Sequence, residues 1–222
     1  MGSRHRDHRR DHAGAQPGRR ARLSAATIPP ARAALVLAAG SARRFGSDKL
    51  SATFEGEPLV HHALRTACAA PVDTVLVVAR PDLDLSRWQA PEGAPPVTIL
   101  RVESQALSTT LKAGVAALGD VDALFVFLGD MPRVPPGEAA HLARILADNF
   151  AALPRHGGKP GHPVLLSARA LADVPTLTGD AGAGQILRGR SDVVFHETDD
   201  PAVRLDIDRP EDLTRLKGGA QD

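Results

Sequence analysis

Residues 35–49 read L-V-L-A-A-G-S-A-R-R-F-G-S-D-K, and the order of residue types in this stretch decides how the chain folds. The apolar run 33–39 predicts a buried β-strand, because seven apolar residues in a row leave no polar face for water. It leads straight into a loop holding Gly40, Ser41, Arg43, Arg44, Gly46 and Lys49. Glycine lets the backbone approach an anion closely, and bare N–H groups there can cradle phosphate oxygens. Two arginines and a lysine add forked and point-charge phosphate contacts. A strand feeding a basic, glycine-rich loop is a common way to hold a nucleoside triphosphate. An ordinary strand-to-helix turn with solvated basic side chains explains one or two of these residues, but not all of them in this order.

The spacing excludes two familiar phosphate loops. Gly46 is followed by Ser47 and Asp48, so there is no G-x-x-x-x-G-K-[ST], and no G-x-G-x-x-G is present either. Outward from this loop, the pattern alternates strand and helix. Helices are expected over 58–69, 107–118, 136–149 and 210–217, and strands over 73–79, 97–102, 122–128, 164–166, 193–196 and 203–207. A glycine-rich turn and a short helix are expected near 179–187, and residues 80–96 read as a surface loop. Repeated strand–helix units predict an α/β fold: a single Rossmann-like domain with an open, mainly parallel sheet and helices on both faces. In such a sheet, ligands bind beyond the carboxyl ends of the strands.

The chain has 222 residues, 43% of them hydrophobic and 24% charged. The first 32 differ in kind, with eight arginines against two aspartates. That tail carries a formal charge of +6 out of a total of +1, so the rest of the chain is mildly acidic. Residues 1–32 are expected to be a disordered basic tail and residues 33–218 a single folded domain. The tail lacks the apolar core of a secretory signal, and no apolar run is long enough to span a bilayer. A soluble, cytoplasmic protein is expected. Without interleaved aromatics or a folded basic face, the tail alone gives no reason to expect a nucleic-acid partner. The single cysteine, Cys68, sits among alanines of an expected helix and reads as a small buried residue.

Two acidic segments stand at strand ends. The run 122–128 ends in Gly129-Asp130-Met131-Pro132. Magnesium takes hard oxygen ligands, usually one or two carboxylates together with substrate phosphates. The same four residues also suit an Asx turn, and taken alone they do not separate the two readings. Farther on, Leu205-Asp206-Ile207-Asp208 alternates, putting Asp206 and Asp208 on one face and Leu205 and Ile207 toward the core. Asp208 with Glu211 also has the spacing of an acidic capping box, and a carboxylate can cap with one oxygen while binding metal with the other.

A third stretch, residues 154–166, reads P-R-H-G-G-K-P-G-H-P-V-L-L. It is too glycine-rich for a core element and suits a site for a large anionic acceptor. His162 could instead simply hydrogen-bond within a turn. The two histidines lack a third ligand at a spacing that would hold a transition metal.

Taken together, these motifs resemble the MobA-like nucleotidyltransferases, whose loop is L-A-A-G-x-S-x-R-x-G-x-x-K. The arginine falls on Arg44, the second glycine on Gly46, and the lysine on Lys49. Arg204 to Leu213 resembles the family's D-[IV]-D-T-P-E-D-L ending with Arg209 in place of threonine. Residues 157–165 resemble its G-G-x-x-G-H-P-V-L segment, and residues 179–183 its G-D-x-G-A loop. The resemblance implies that Leu37, Ala38, Ala39, Gly40, Ser41, Arg44, Gly46 and Lys49 bind the nucleotide. It implies that Lys49, Arg44 and Asp130 serve catalysis and that Asp130 and Asp208 hold Mg²⁺, with Asp206 less firmly assigned. Gly158, Gly161, His162 and Asp180 fall on the acceptor side. Within the family, the chain is most similar to the molybdenum cofactor cytidylyltransferases. That likeness implies transfer of CMP from CTP to the phosphate of molybdopterin with release of pyrophosphate, and a molybdoenzyme as the product's recipient. A guanylyltransferase, another small-acceptor nucleotidyltransferase, or a non-catalytic cofactor-binding chaperone for a molybdoenzyme would share much of the pattern. One departure is plain: where the family carries a glycine before its second crossover helix, this chain has Ala106.

Overall fold

The computed structural model describes residues 1, 31–40, 45, 48–104 and 106–218. The expected basic tail therefore lies almost wholly outside the described residues, as do Ser41, Arg44 and Gly46 of the expected phosphate loop. The first strand, β1 (Arg32–Ala38), is buried on both faces. Ala34, Val36 and Ala38 pack into one core, and Ala33, Leu35 and Leu37 into another. This double burial is why its sequence shows no alternation.

A short hairpin, β2 (Thr53–Phe54) with β3 (Glu57–Pro58), precedes helix α1 (Leu59–Cys68). It takes residues that the sequence assigned to the helix start and its approach, because Glu55 and Gly56 both adopt positive φ and close a two-residue turn. Next come β4 (Thr74–Ala79), β5 (Val97–Arg101), α2 (Leu107–Leu118), β6 (Ala123–Leu128) and α3 (Glu138–Ile145). The chain continues through β7 (Ala151–His156), β8 (Lys159–Pro160), β9 (Val164–Ser167), α4 (Ala168–Leu171), α5 (Gly184–Leu187), β10 (Val193–Glu197) and α6 (Pro210–Gly218).

The main sheet runs β10-β7-β9-β6-β1-β4-β5, with β8 pairing beside β7. The neighbours β6, β1, β4 and β5 are parallel, and so are β7 and β10. Strand β9 alone runs against both of its neighbours in that series. Helices α1 and α3 contribute Leu64, Ala67 and Leu142 to one face, and α2 contributes Leu111 to the other. The fold is thus the expected mainly parallel α/β sheet covered on both sides. Among the described residues, no helix is long and apolar enough to cross a membrane.

Three expectations need correction. Residues 151–156 form a core strand, whereas the sequence read 154–166 as too glycine-rich to be one. The glycines belong to the turn, where Gly157 and Gly158 take positive φ between β7 and β8. Residues 203–207 are not a strand. Asp200 accepts a hydrogen bond from the Ala202 N–H (2.8 Å) and Pro201 starts a helical turn over Pro201–Arg204, which overrides the β-branched composition. The helix expected over 136–149 shrinks to eight residues, ended by Ala147 at positive φ.

A pH-dependent contribution sits on α1. His61 is buried, its ring 5.3 Å from that of Trp88 and its Nδ1 3.8 Å from Glu57 Oε2. Burial pushes the imidazole below its ordinary value, and Glu57 pulls it only part of the way back. Because the folded value is depressed, stability is full above the unfolded value of about 6.5 and declines as pH falls through it. The Tm should drop between pH 7.5 and 5.5, and His61→Gln should flatten that slope in thermal melts. An unchanged slope in the variant would assign the effect to other groups.

Candidate active site

The parallel strands end together on one edge of the sheet, and the polar residues gather there. Ala38 and Leu128 close β1 and β6, and the Gly129 N–H donates to the Leu37 carbonyl at 3.0 Å. This close approach leaves little room beyond glycine, since a Cβ at Gly129 would lie 3.1 Å from that oxygen. Asp130 follows directly. Across the edge, residues 49–51 form a single helical turn capped by Asp48, which accepts from the Ser51 N–H at 3.3 Å. Partial burial pushes the Asp48 carboxyl up, but hydrogen bonds from Ser51 and Arg80 outweigh it and hold the group below its ordinary value.

That turn aims Lys49 between two carboxylates. Its Nζ lies 2.7 Å from Asp130 Oδ2 and 3.4 Å from Asp208 Oδ1. Asp208 reaches the site because the Ile207 N–H donates to the Asp130 carbonyl at 3.0 Å, while the Ile207 side chain is fully buried. Ile207 packs with Phe45, Phe54 and Leu59, so one small apolar cluster ties Phe45 to the acidic segment. Asp206 and Asp208 are both exposed, as the alternation predicted, although no strand carries them. The Asp206 carboxyl is pushed up, first by desolvation and then by the charges of Asp208 and Asp130.

Three carboxylates around one ammonium make an electronegative spot of hard oxygen donors, which fits a divalent cation. Among the described residues, no three acidic, histidine or cysteine side chains could hold a metal by themselves. A cation there would therefore draw remaining ligands from a bound phosphate.

The expected capping partner of the acidic segment is corrected. Asp212, not Glu211, turns back to the helix start, accepting from the Arg209 N–H at 2.8 Å and the Asp208 N–H at 3.1 Å. Arg209 is therefore the residue at the cap of α6, and its side chain has no oxygen to return the bond. Arg209→Thr should complete the box and raise stability by about 0.5–1 kcal/mol, visible as a Tm increase of a few degrees. An unchanged or lowered Tm would count against this account of the cap.

The antiparallel direction of β9 brings the next group in. It pairs Val164 with Val126, so Gly161 and His162, just ahead of β9, arrive at the carboxyl end of β6. His162 donates its backbone N–H to the Val203 carbonyl at 2.7 Å. A Cβ at Gly161 would collide with that same carbonyl oxygen. Gly161→Ala should therefore displace the turn leading to Asp206 and Asp208, costing about 2 kcal/mol or more and lowering activity with it. A melt indistinguishable from wild type would show that this contact does not anchor the segment. Burial lowers the His162 imidazole below its ordinary value, against the opposing pull of the Asp130 charge.

Beside these residues a cavity of about 560 Å³ opens on the sheet face under α5. Leu37, Gly161 and His162 line it, together with Leu107 and Gly182. Leu107 and Gly182 are brought together because Ser108 donates both its N–H (3.2 Å) and its hydroxyl (2.7 Å) to the Gly179 carbonyl. Asp180, next to that carbonyl, is exposed at the turn, and Gly158 sits on the exposed β7–β8 hairpin; neither lines the cavity. Ala38 and Ala39 are buried and Gly40 is exposed. Sequence reasoning missed Phe45, Arg80 and Asp212, of which only Phe45, an aromatic inside a polar loop, left a signal. Cys68 is buried as expected, and burial pushes its thiol up.

Residues 34–195 match the model of the MobA-like NTP transferase domain. The chain belongs to the MobA-like nucleotidyltransferase family. It is 29% identical over 194 residues to the purine catabolism protein PucB of Bacillus subtilis, covering 82% of this chain and 93% of that protein. It is 28% identical over 188 residues to the molybdenum cofactor cytidylyltransferase of Escherichia coli, with 82% and 94% covered. Among solved structures, a Mycobacterium sp. strain JC1 homologue of Mycobacterium tuberculosis Rv0371c aligns with a TM-score of 0.71 and 25% identity, covering 85% of this chain and 96% of that one. Nucleotidyltransferases of this kind use divalent metals, and the M. tuberculosis protein itself is known as a manganese complex.

Proposed function

We propose that this nucleotidyltransferase moves CMP from CTP to the phosphate of molybdopterin and releases pyrophosphate. The observation that carries the reading is Lys49 held between Asp130 and Asp208 at the carboxyl end of the sheet. An ammonium there can pass to a triphosphate oxygen as the nucleotide enters, freeing the two carboxylates for Mg²⁺. The bound cation would neutralise phosphate charge; the protein's own part is to position the reactants and hold that charge. An acceptor phosphate oxygen forms a bond to the α-phosphorus, and the bond from that phosphorus to the β-phosphate oxygen breaks, its electron pair leaving with pyrophosphate. No general base is needed, since a phosphate monoester is largely ionised near neutral pH.

The likeness to the E. coli cytidylyltransferase supports CTP and molybdopterin, and Ala39, where guanylyltransferases usually carry glycine, supports the cytidylyl branch. Ala106 in place of the family's glycine weighs the other way. A recipient molybdoenzyme then takes the product. Arg44 of the phosphate loop is assigned to the triphosphate and Gly161 and His162 to the acceptor. Pyrophosphate release with each of the four NTPs, Mg²⁺ and molybdopterin tests the reading. Release with CTP well above the others is expected. Preference for GTP would favour the guanylyl alternative, and release with none would favour a non-catalytic cofactor chaperone.

A further inference from the structure

The cavity beside Asp130 carries a charge that the transfer chemistry does not use. Its floor includes Leu37, Leu128, Val164, Leu153 and Phe195, which lie on β1, β6, β9, β7 and β10. Those five strands are successive neighbours in the sheet. At about 4.8 Å per strand the floor spans roughly 19 Å, so the cavity is a trough crossing five of the seven strands in that order. One end lies at Leu37 and Leu128, the latter two residues before Asp130. The other lies against the edge strand β10, where Arg188 and Arg190 line it.

The two arginines are not equivalent. Arg190 donates to both carboxylate oxygens of Asp192, at 2.8 and 3.0 Å, and its guanidinium lies 3.4 Å from the Phe150 ring centre. Arg188 is exposed and pairs with no carboxylate among the described residues. Its backbone is fixed at the end of α5, followed by Gly189 at positive φ. An uncommitted guanidinium at the mouth of a mostly apolar trough is a forked donor suited to a carboxylate, a phosphate or a ring carbonyl.

We propose that Arg188 reads the far end of the acceptor. The acceptor lies lengthwise, with its reacting phosphate at Asp130, an apolar or flat aromatic body over the sheet face, and an anionic or carbonyl-bearing end on Arg188. A compact sugar phosphate would not reach that guanidinium. This inference rests on the reading of the trough as the acceptor site.

Two measurements on wild type, Arg188→Ala and Arg188→Lys separate the inference from that reading. In steady-state assays with CTP, Mg²⁺ and molybdopterin, Arg188→Ala should raise the acceptor KM about tenfold, the loss of one charge-assisted contact. The kcat and the KM for CTP should hold, and Arg188→Lys should recover part of the loss. In fluorescence titrations, which need no turnover, 8-anilinonaphthalene-1-sulfonate supplies an aromatic body with an anionic end and N-phenyl-1-naphthylamine the same body uncharged. Arg188→Ala should weaken the sulfonate about tenfold and leave the amine unchanged. If wild type ignores molybdopterin while the dye pattern holds, the acceptor's identity fails and the role of Arg188 stands. If the sulfonate fails to bind wild type, binds the alanine variant equally well, or loses affinity in step with the uncharged dye, the inference is overturned.

Discussion

Asp130→Asn should cut pyrophosphate release at least ~100-fold, the size of effect seen when one strong electrostatic stabiliser of a transition state is lost. Asparagine keeps the shape and one oxygen for Lys49 but not the charge that a cation and its phosphates require. Stability should barely move. From sequence, the three neighbouring aspartates suggest that removing one charge relieves repulsion. Lys49, 2.7 Å from Asp130 and 3.4 Å from Asp208, already offsets most of that repulsion. A partly exposed ion pair is worth about 0–1 kcal/mol, so the Tm should stay within a few degrees. A turn-forming aspartate with no metal role predicts the reverse: a lowered Tm and intact release. Melts without metal and release assays on the same preparation separate the two.

Lys49→Met should produce the second large effect, a loss of turnover and of CTP affinity of about tenfold to a hundredfold, because the ammonium proposed to meet the triphosphate is gone. Methionine preserves much of the stem, which is only 13% exposed in lysine, so the fold should hold. The variant should also behave in an unusual way without nucleotide. Lys49 occupies the gap between Asp130 and Asp208, and removing it leaves two carboxylates facing each other. The free variant should therefore bind Mn²⁺ more tightly than free wild type in a titration followed by electron paramagnetic resonance. Equal or weaker Mn²⁺ binding would contradict the assignment of these two carboxylates as ligands.

The residues made much of this legible. The uninterrupted apolar runs of β1 and β6 announce strands buried on both faces, and Leu107–Leu118 announces its helix, because burial there is set by local periodicity. The motifs assign Lys49, Asp130 and Asp208, separated by up to 159 positions, to one site, and in the fold Lys49 touches both carboxylates. Much of what stayed hidden depends on long-range pairing. Nothing local says that β9 runs antiparallel, yet that direction delivers His162 to the site. The turn at Pro201–Arg204 wins over a strand through the cap from Asp200, a competition between local hydrogen bonds that composition does not decide. The Asp48–Arg80 pair and the trough floor depend on strand order, which the sequence pattern leaves open.

The proposed reaction is attack at the α-phosphorus by a molybdopterin phosphate, and a label on that phosphorus follows it directly. Wild-type protein incubated with CTP labelled at the α-phosphate, Mg²⁺ and molybdopterin should move the label into a cofactor–nucleotide product, leaving the released pyrophosphate unlabelled. Label that stays in CTP, or that appears only in free CMP or CDP with no cofactor adduct, would contradict it.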